Sequence, residues 1–316
     1  MKTTLHPFLP WLAAAALAEW LIARTLARAA IFMPKTSAMV SVYKAMGVSG
    51  QIATSLASLL ALAALGWIAW QGVRRHRNLV IAAACVALLL VNLLALFTPS
   101  TGWLALSFQA FLCTGIVVLM AQAWMQSLRI DLKIAITCIG MTLLVGRLYQ
   151  SLDVVYSILH LPGPPAWSGL IFNAGELLVM ISVISLWWSF GRKARWSTWL
   201  IAAVPAMLFA IPRLLAPAMT GIMTIWSTGL TLYLPWPAYV LALWLAGVTV
   251  INALRKGYAA GWATLLLVAG GYAPQMSIQA FLGLIALWIL LNSSNSDPAA
   301  GSSVSSPSTA PVLASR

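Results

Sequence analysis

Ten long apolar stretches follow one another along the chain, at about 8–31, 51–71, 79–98, 103–126, 134–159, 168–190, 197–216, 236–254, 257–272 and 274–291. Each comes near the ~20 residues that a helix rising 1.5 Å per residue needs to cross a hydrocarbon core of ~30 Å. The pattern predicts an all-α fold, a polytopic transmembrane helix bundle of about ten helices over residues 1–292. The last two stretches are short and are parted by Gly270, Gly271 and Pro274. If they form one broken pair that does not fully cross, the count falls to nine.

Two further segments bear on the count. Residues 219–234 (MTGIMTIWSTGLTLYL) are apolar but end at Pro235 and Pro237, and they read as an outer interfacial or re-entrant segment. At the N-terminus, Lys2 and the small residues Ala16 and Ala18 also fit a cleavable signal peptide, which would leave nine helices. Beyond residue 292 the character changes. Residues 293–316 are rich in serine, alanine and proline, without an apolar period, and predict a disordered cytoplasmic tail.

Charge placement predicts the orientation. Arg74, Arg75 and Arg77 close one hairpin and Arg129 and Lys133 the next; Arg192, Lys193 and Arg195 follow, then Arg255 and Lys256. The loops between, at 98–102 and 161–166, carry no charge. The positive-inside rule therefore puts both termini in the cytoplasm of a prokaryotic-type plasma membrane, with Trp67, Trp70, Trp124, Trp187, Trp188, Trp196, Trp199 and Trp288 near the inner face. This topology also accounts for the net charge of +13, because the cations sit in short clusters rather than on one basic face or tail, so nucleic acid is not an expected partner. With 62% hydrophobic and 7% charged residues, the expected environment is the lipid bilayer.

Against that background the charges inside apolar stretches matter most. Glu19, Asp153 and Glu176 lie there, with Arg24, Arg28, Arg147 and Arg213. One charge at the bilayer centre costs ~3 kcal/mol on insertion scales, so seven facing lipid would cost roughly 20 kcal/mol. They must face one another, a cavity or a partner. On the fifth stretch Arg147, Gln150, Asp153, Ser157 and His160 fall within an arc of about 140° at 100° per residue. On the sixth, Asn173 and Glu176 share a face. Depths along the helices place most of these groups in the outer half, which predicts an outward-facing polar pocket lined by Glu19, Arg147, Asp153, Glu176 and Arg213. The preferred pairing is Glu176 with Arg147, at matching depth, and Arg213 is the candidate surplus cation. Arg24, Arg28, Gln150, His160 and Asn173 are secondary candidates. A purely structural network of ion pairs is the competing reading.

No cofactor is expected. His6, His76 and His160 are too scattered to hold a b-type haem or to build a zinc site, and Cys85, Cys113 and Cys138 sit at wide spacing in apolar runs, as small buried hydrophobes do. Phosphate-binding loops, H-E-x-x-H and G-x-S-x-G elbows are missing, which inclines the reading away from an enzyme. Gly257 and Gly261 form a weak G-x-x-x-G pattern that suggests close helix packing. Ten helices also divide into two sets of five, with a faint echo between residues 18–22 and 175–179 of the kind inverted-repeat transporters show. The leading expectation is binding or translocation of a small anionic or zwitterionic solute. The alternatives are a non-catalytic membrane subunit with partner proteins in a larger complex, and an enzyme acting on a lipid-linked phosphate at the outer leaflet.

Overall fold

A helix bonds its backbone amides within the segment itself, which suits long apolar stretches such as these. The computed structural model describes residues 8–22, 40–75, 78–94, 102–161, 168–220, 236–270 and 277–293. These form ten helices: α1 Leu9–Glu19, α2 Val40–Arg75, α3 Leu79–Leu94, α4 Gly102–Met125, α5 Ile130–Ile158, α6 Ser168–Phe190, α7 Trp196–Thr220, α8 Trp236–Arg255, α9 Ala260–Gly270 and α10 Ser277–Ser293. The fold is all-helical, with 91% of the described residues in helix and no strand among them. Four helices, α2, α4, α5 and α8, are long and apolar enough to cross a membrane, and the other six include shorter apolar segments.

The ends of these helices follow local chemistry. Pro10 stands in the first turn of α1, where its missing N–H costs nothing. Arg129 precedes α5 in an extended conformation, and Asp131 in the first turn favours the positive end of the helix dipole. The Arg129 guanidinium pairs with Asp131 at 2.6 Å, and the Leu132 amide donates to the same carboxylate at 3.1 Å. At its far end α5 closes on a left-handed residue, His160 (φ 53°), with the Leu161 amide donating to the Tyr156 carbonyl at 2.9 Å.

Consecutive helices pack side by side from α1 through α6 and again from α7 through α10. The two runs join where α8 packs on α6, α10 on α5 and α2, and α9 on α1. Among the described residues α1 lies along α2, and α6 packs on α5 and α8. α10 is the surprise. The sequence suggests a short, doubtful crossing, yet residues 280–291 are all buried, and α2, α3, α5 and α9 surround the helix. A helix apolar on every side belongs in the middle of a bundle. α9 has only 11 residues, roughly 16 Å of helix and about half a bilayer core.

Other expectations meet mixed outcomes. α2 begins at Val40 rather than near residue 51, and with 36 residues it is about 54 Å long. Most of its first ten residues are exposed. In the Gly257–Gly261 pattern only Gly261 serves close packing, of α9 on α8. Gly257 occupies the α8–α9 turn at φ +72°, a conformation that favours glycine, while Gly261 approaches Leu254 so closely that a Cβ there would lie 2.8 Å from its Cδ2. The tail and most of the 219–234 segment lie outside the described residues.

Candidate functional site

Most polar side chains in these helices need no neighbour. Thr114, Thr137, Thr142, Ser151, Ser182, Thr249 and Thr264 each donate to the carbonyl four residues earlier, at 2.8–2.9 Å. A hydroxyl satisfied this way tolerates an apolar interior. The side chains that reach across to another helix are therefore the informative ones.

Glu176 is the first. It lies on α6, 7% exposed, and its Oε2 accepts a hydrogen bond of 2.5 Å from the hydroxyl of Tyr239 on α8, a side chain with 0% exposure. At the other end of the same seam Asn252 on α8 donates to the Phe190 carbonyl. α8 is thus stitched to α6 near both of its ends. It also reaches α7, through Trp244 Nε1 to the Trp199 carbonyl at 2.9 Å and Arg255 Nη1 to Thr198 Oγ1 at 3.1 Å.

Arg147 is the second. It is the largest fully buried side chain, 1% exposed, on the face of α5 toward α4 and α10. It borders a small cleft with Leu88, Leu112, Ile116, Leu143, Ala280 and Leu284, contributed by α3, α4, α5 and α10. Space for the centre of a water molecule is only about 10 Å³ there, close to that of one water. Buried Gln109 on α4 donates from Nε2 to the Arg147 carbonyl at 2.8 Å, which fastens α4 to α5 at this level. Glu19, 2% exposed, ends α1, the helix that packs on α2 and α9.

This geometry separates groups that the sequence pattern brought together. The carboxylate expected to meet Arg147 is engaged by Tyr239, so the pairing of Glu176 with Arg147 gives way to a carboxylate–phenol bond at a different helix seam. Helical periodicity fixes the side of α5 that carries Arg147, but it does not say which helix covers that side. Asp153 and His160 lie on exposed positions toward the end of α5, away from the buried set, and Gln150 is half-buried. Arg213 falls within α7 and Asn173 within α6, but their side chains lie outside the described residues, as do Arg24 and Arg28 entirely.

Tyr239 and Gln109 were missed by sequence reasoning. Tyr239 follows Trp236 and Pro237 at a helix start, where a tyrosine reads as an interfacial anchor. Gln109 is a single neutral polar residue in an apolar run, and its depth is the one signal that marks it. Among the described residues no group of three or more histidine, cysteine, aspartate or glutamate side chains is arranged to hold a metal ion. Cys85 and Cys138 are buried free thiols and Cys113 is half-buried. No protein family model, curated protein or solved structure matches this chain.

Proposed function

We propose that this chain is a multi-pass protein of a prokaryotic-type plasma membrane, with both termini cytoplasmic, that binds or translocates a small anionic or zwitterionic solute. The observation that carries the reading is the burial of Arg147 beside a small cleft between four helices. Arginine keeps its charge almost regardless of surroundings, and its planar fork matches a carboxylate or phosphate. Burying it is costly, and ionisable groups held within membrane helices mark solute and ion pathways more often than not.

The space beside Arg147 is about that of one water. A solute larger than one water enters only after α4 or α10 moves, as alternating access requires. In this scheme Glu176 handles the coupling proton, because Tyr239 can donate to the carboxylate and accept from the carboxylic acid.

Arg147→Met tests the reading. The purified protein is heated with a panel of mono- and dicarboxylates, phosphates and amino acids, and unfolding is followed. At least one anion should raise Tm in the natural chain and none in the variant, while the Gln109 bond, being to the backbone, is kept. A variant that loses Tm without losing any anion response makes Arg147 a structural tie and sinks the proposal.

A second reading, a membrane subunit of a larger complex, draws on α2. Its first ten residues project from the bundle with Val40, Val42 and Val48 exposed. A stoichiometric protein partner recovered from native membranes in mild detergent would favour it.

A further inference from the structure

Two loops distant in sequence converge at one end of the bundle. The α6–α7 connection carries Arg192, Lys193 and Arg195, and the α8–α9 turn carries Arg255 and Lys256; all five side chains are exposed. Three contacts hold the loops together. Asn252 donates to the Phe190 carbonyl, Arg255 donates to Thr198 at 3.1 Å, and the rings of Phe190 and Tyr258 lie 5.7 Å apart. Gly191 permits the approach, since a Cβ there would come within 3.1 Å of Thr249 Oγ1. The five cations therefore form one patch, held by packing rather than by sequence proximity.

The patch has no acid of its own. From residue 177 to residue 296 the chain contains no aspartate or glutamate. Asp131, at the start of α5, is already engaged by Arg129. Just behind the patch stands a stack of tryptophans: Trp187 packs edge-on against Trp199 at 6.0 Å, and Trp199 against Trp244 at 5.5 Å. Trp188 is exposed and receives the Arg192 guanidinium over its ring at 5.0 Å. Tryptophan prefers the level of lipid headgroups, so these rings place the cations at headgroup height.

We infer that this patch is a binding site for the phosphate of an anionic phospholipid, held between the α6–α7 and α8–α9 loops. A guanidinium parked on an aromatic ring is already partly desolvated and oriented, which lowers the entropy lost when it meets a phosphate. Arg192 and Arg255 come from the two separate loops, so a headgroup spanning them ties the loops together. Basic residues near an anionic membrane surface contribute about 1 kcal/mol each, and a formed pocket adds specificity to that diffuse attraction. The inference rests on the chain's placement in a membrane and not on any solute bound at Arg147.

The test uses the full chain in detergent micelles with equal dioleoylphosphatidylglycerol and dioleoylphosphatidylcholine, and native mass spectrometry counts the lipid retained. The natural chain should retain the anionic lipid in preference, and Arg192→Gln/Arg255→Gln should lose that preference about ten-fold. Lys193→Gln/Lys256→Gln, which leaves the Trp188 and Thr198 contacts in place, should lose it about three-fold and guards against misfolding of the first variant. Arg74→Gln/Lys133→Gln removes the same charge elsewhere and should retain the preference. Equal retention of both lipids by the natural chain overturns the inference. An equal loss in the Arg74→Gln/Lys133→Gln control also overturns it, because only net charge would then matter.

Discussion

Replacing Tyr239 by phenylalanine removes one hydroxyl from the α6–α8 seam and leaves the ring in place. That hydroxyl donates to Glu176 over 2.5 Å with both side chains buried, so the substitution removes this interhelical bond. Loss of one oxygen leaves little cavity. In soluble proteins a bond to a charged acceptor contributes about 1.5–3 kcal/mol. Within bilayers measured interhelical bonds average about 0.6 kcal/mol and reach about 1.7, because the unfolded chain in the membrane keeps partners of its own. A complete burial of both partners puts this bond at the upper end, so Tyr239→Phe should cost about 1–2 kcal/mol, near ten-fold in the unfolding constant. Glu176→Gln should cost less, since its amide oxygen still accepts from the phenol. The assay is reversible unfolding in mixed micelles by titration with sodium dodecyl sulfate, read by circular dichroism. Tyr239→Phe, Glu176→Leu and the double variant should show a coupling of about 1 kcal/mol, above the ~0.3–0.5 kcal/mol scatter expected of independent sites. Additivity within that scatter would refute the claim that this bond fastens α6 to α8.

Other expectations follow from particular positions. Gly257→Ala meets no neighbour within 4 Å but must adopt φ +72°, so it should destabilise by about 1 kcal/mol in the same titration, through backbone strain alone. Gly247→Val should cost about 1–3 kcal/mol, because even a Cβ at that position lies 3.1 Å from that of Ala202, and further bulk forces α7 from α8. In a chain whose native cysteines are replaced, single cysteines at Lys193 and His160 should label with an impermeant maleimide from opposite sides of sealed vesicles; labelling from one side would undo the proposed topology. In the natural chain Cys85, fully buried, should stay unmodified by maleimide until the protein is denatured.

The helices themselves were legible in the sequence, because whether a segment becomes a helix in an apolar surrounding is a property of that segment. Each of the ten apolar runs holds one of the ten helices among the described residues, at ends displaced by a few residues for α3 through α8 and by about eleven for α2. The expected break at Gly271 and Pro274 lies outside the described residues. What covers each helix face was not legible. The sequence marked Arg147 and Glu176 as groups in need of shielding, since a charge in a hydrocarbon surrounding is costly, and both side chains are buried. Their partners depend on which helices become neighbours, and that choice is collective. α8 lies against α6 and brings Tyr239 to Glu176, while α10 takes the centre and lines the cleft beside Arg147. A period of 3.6 residues gives the direction in which a side chain leaves its own helix; only tertiary packing supplies what stands opposite.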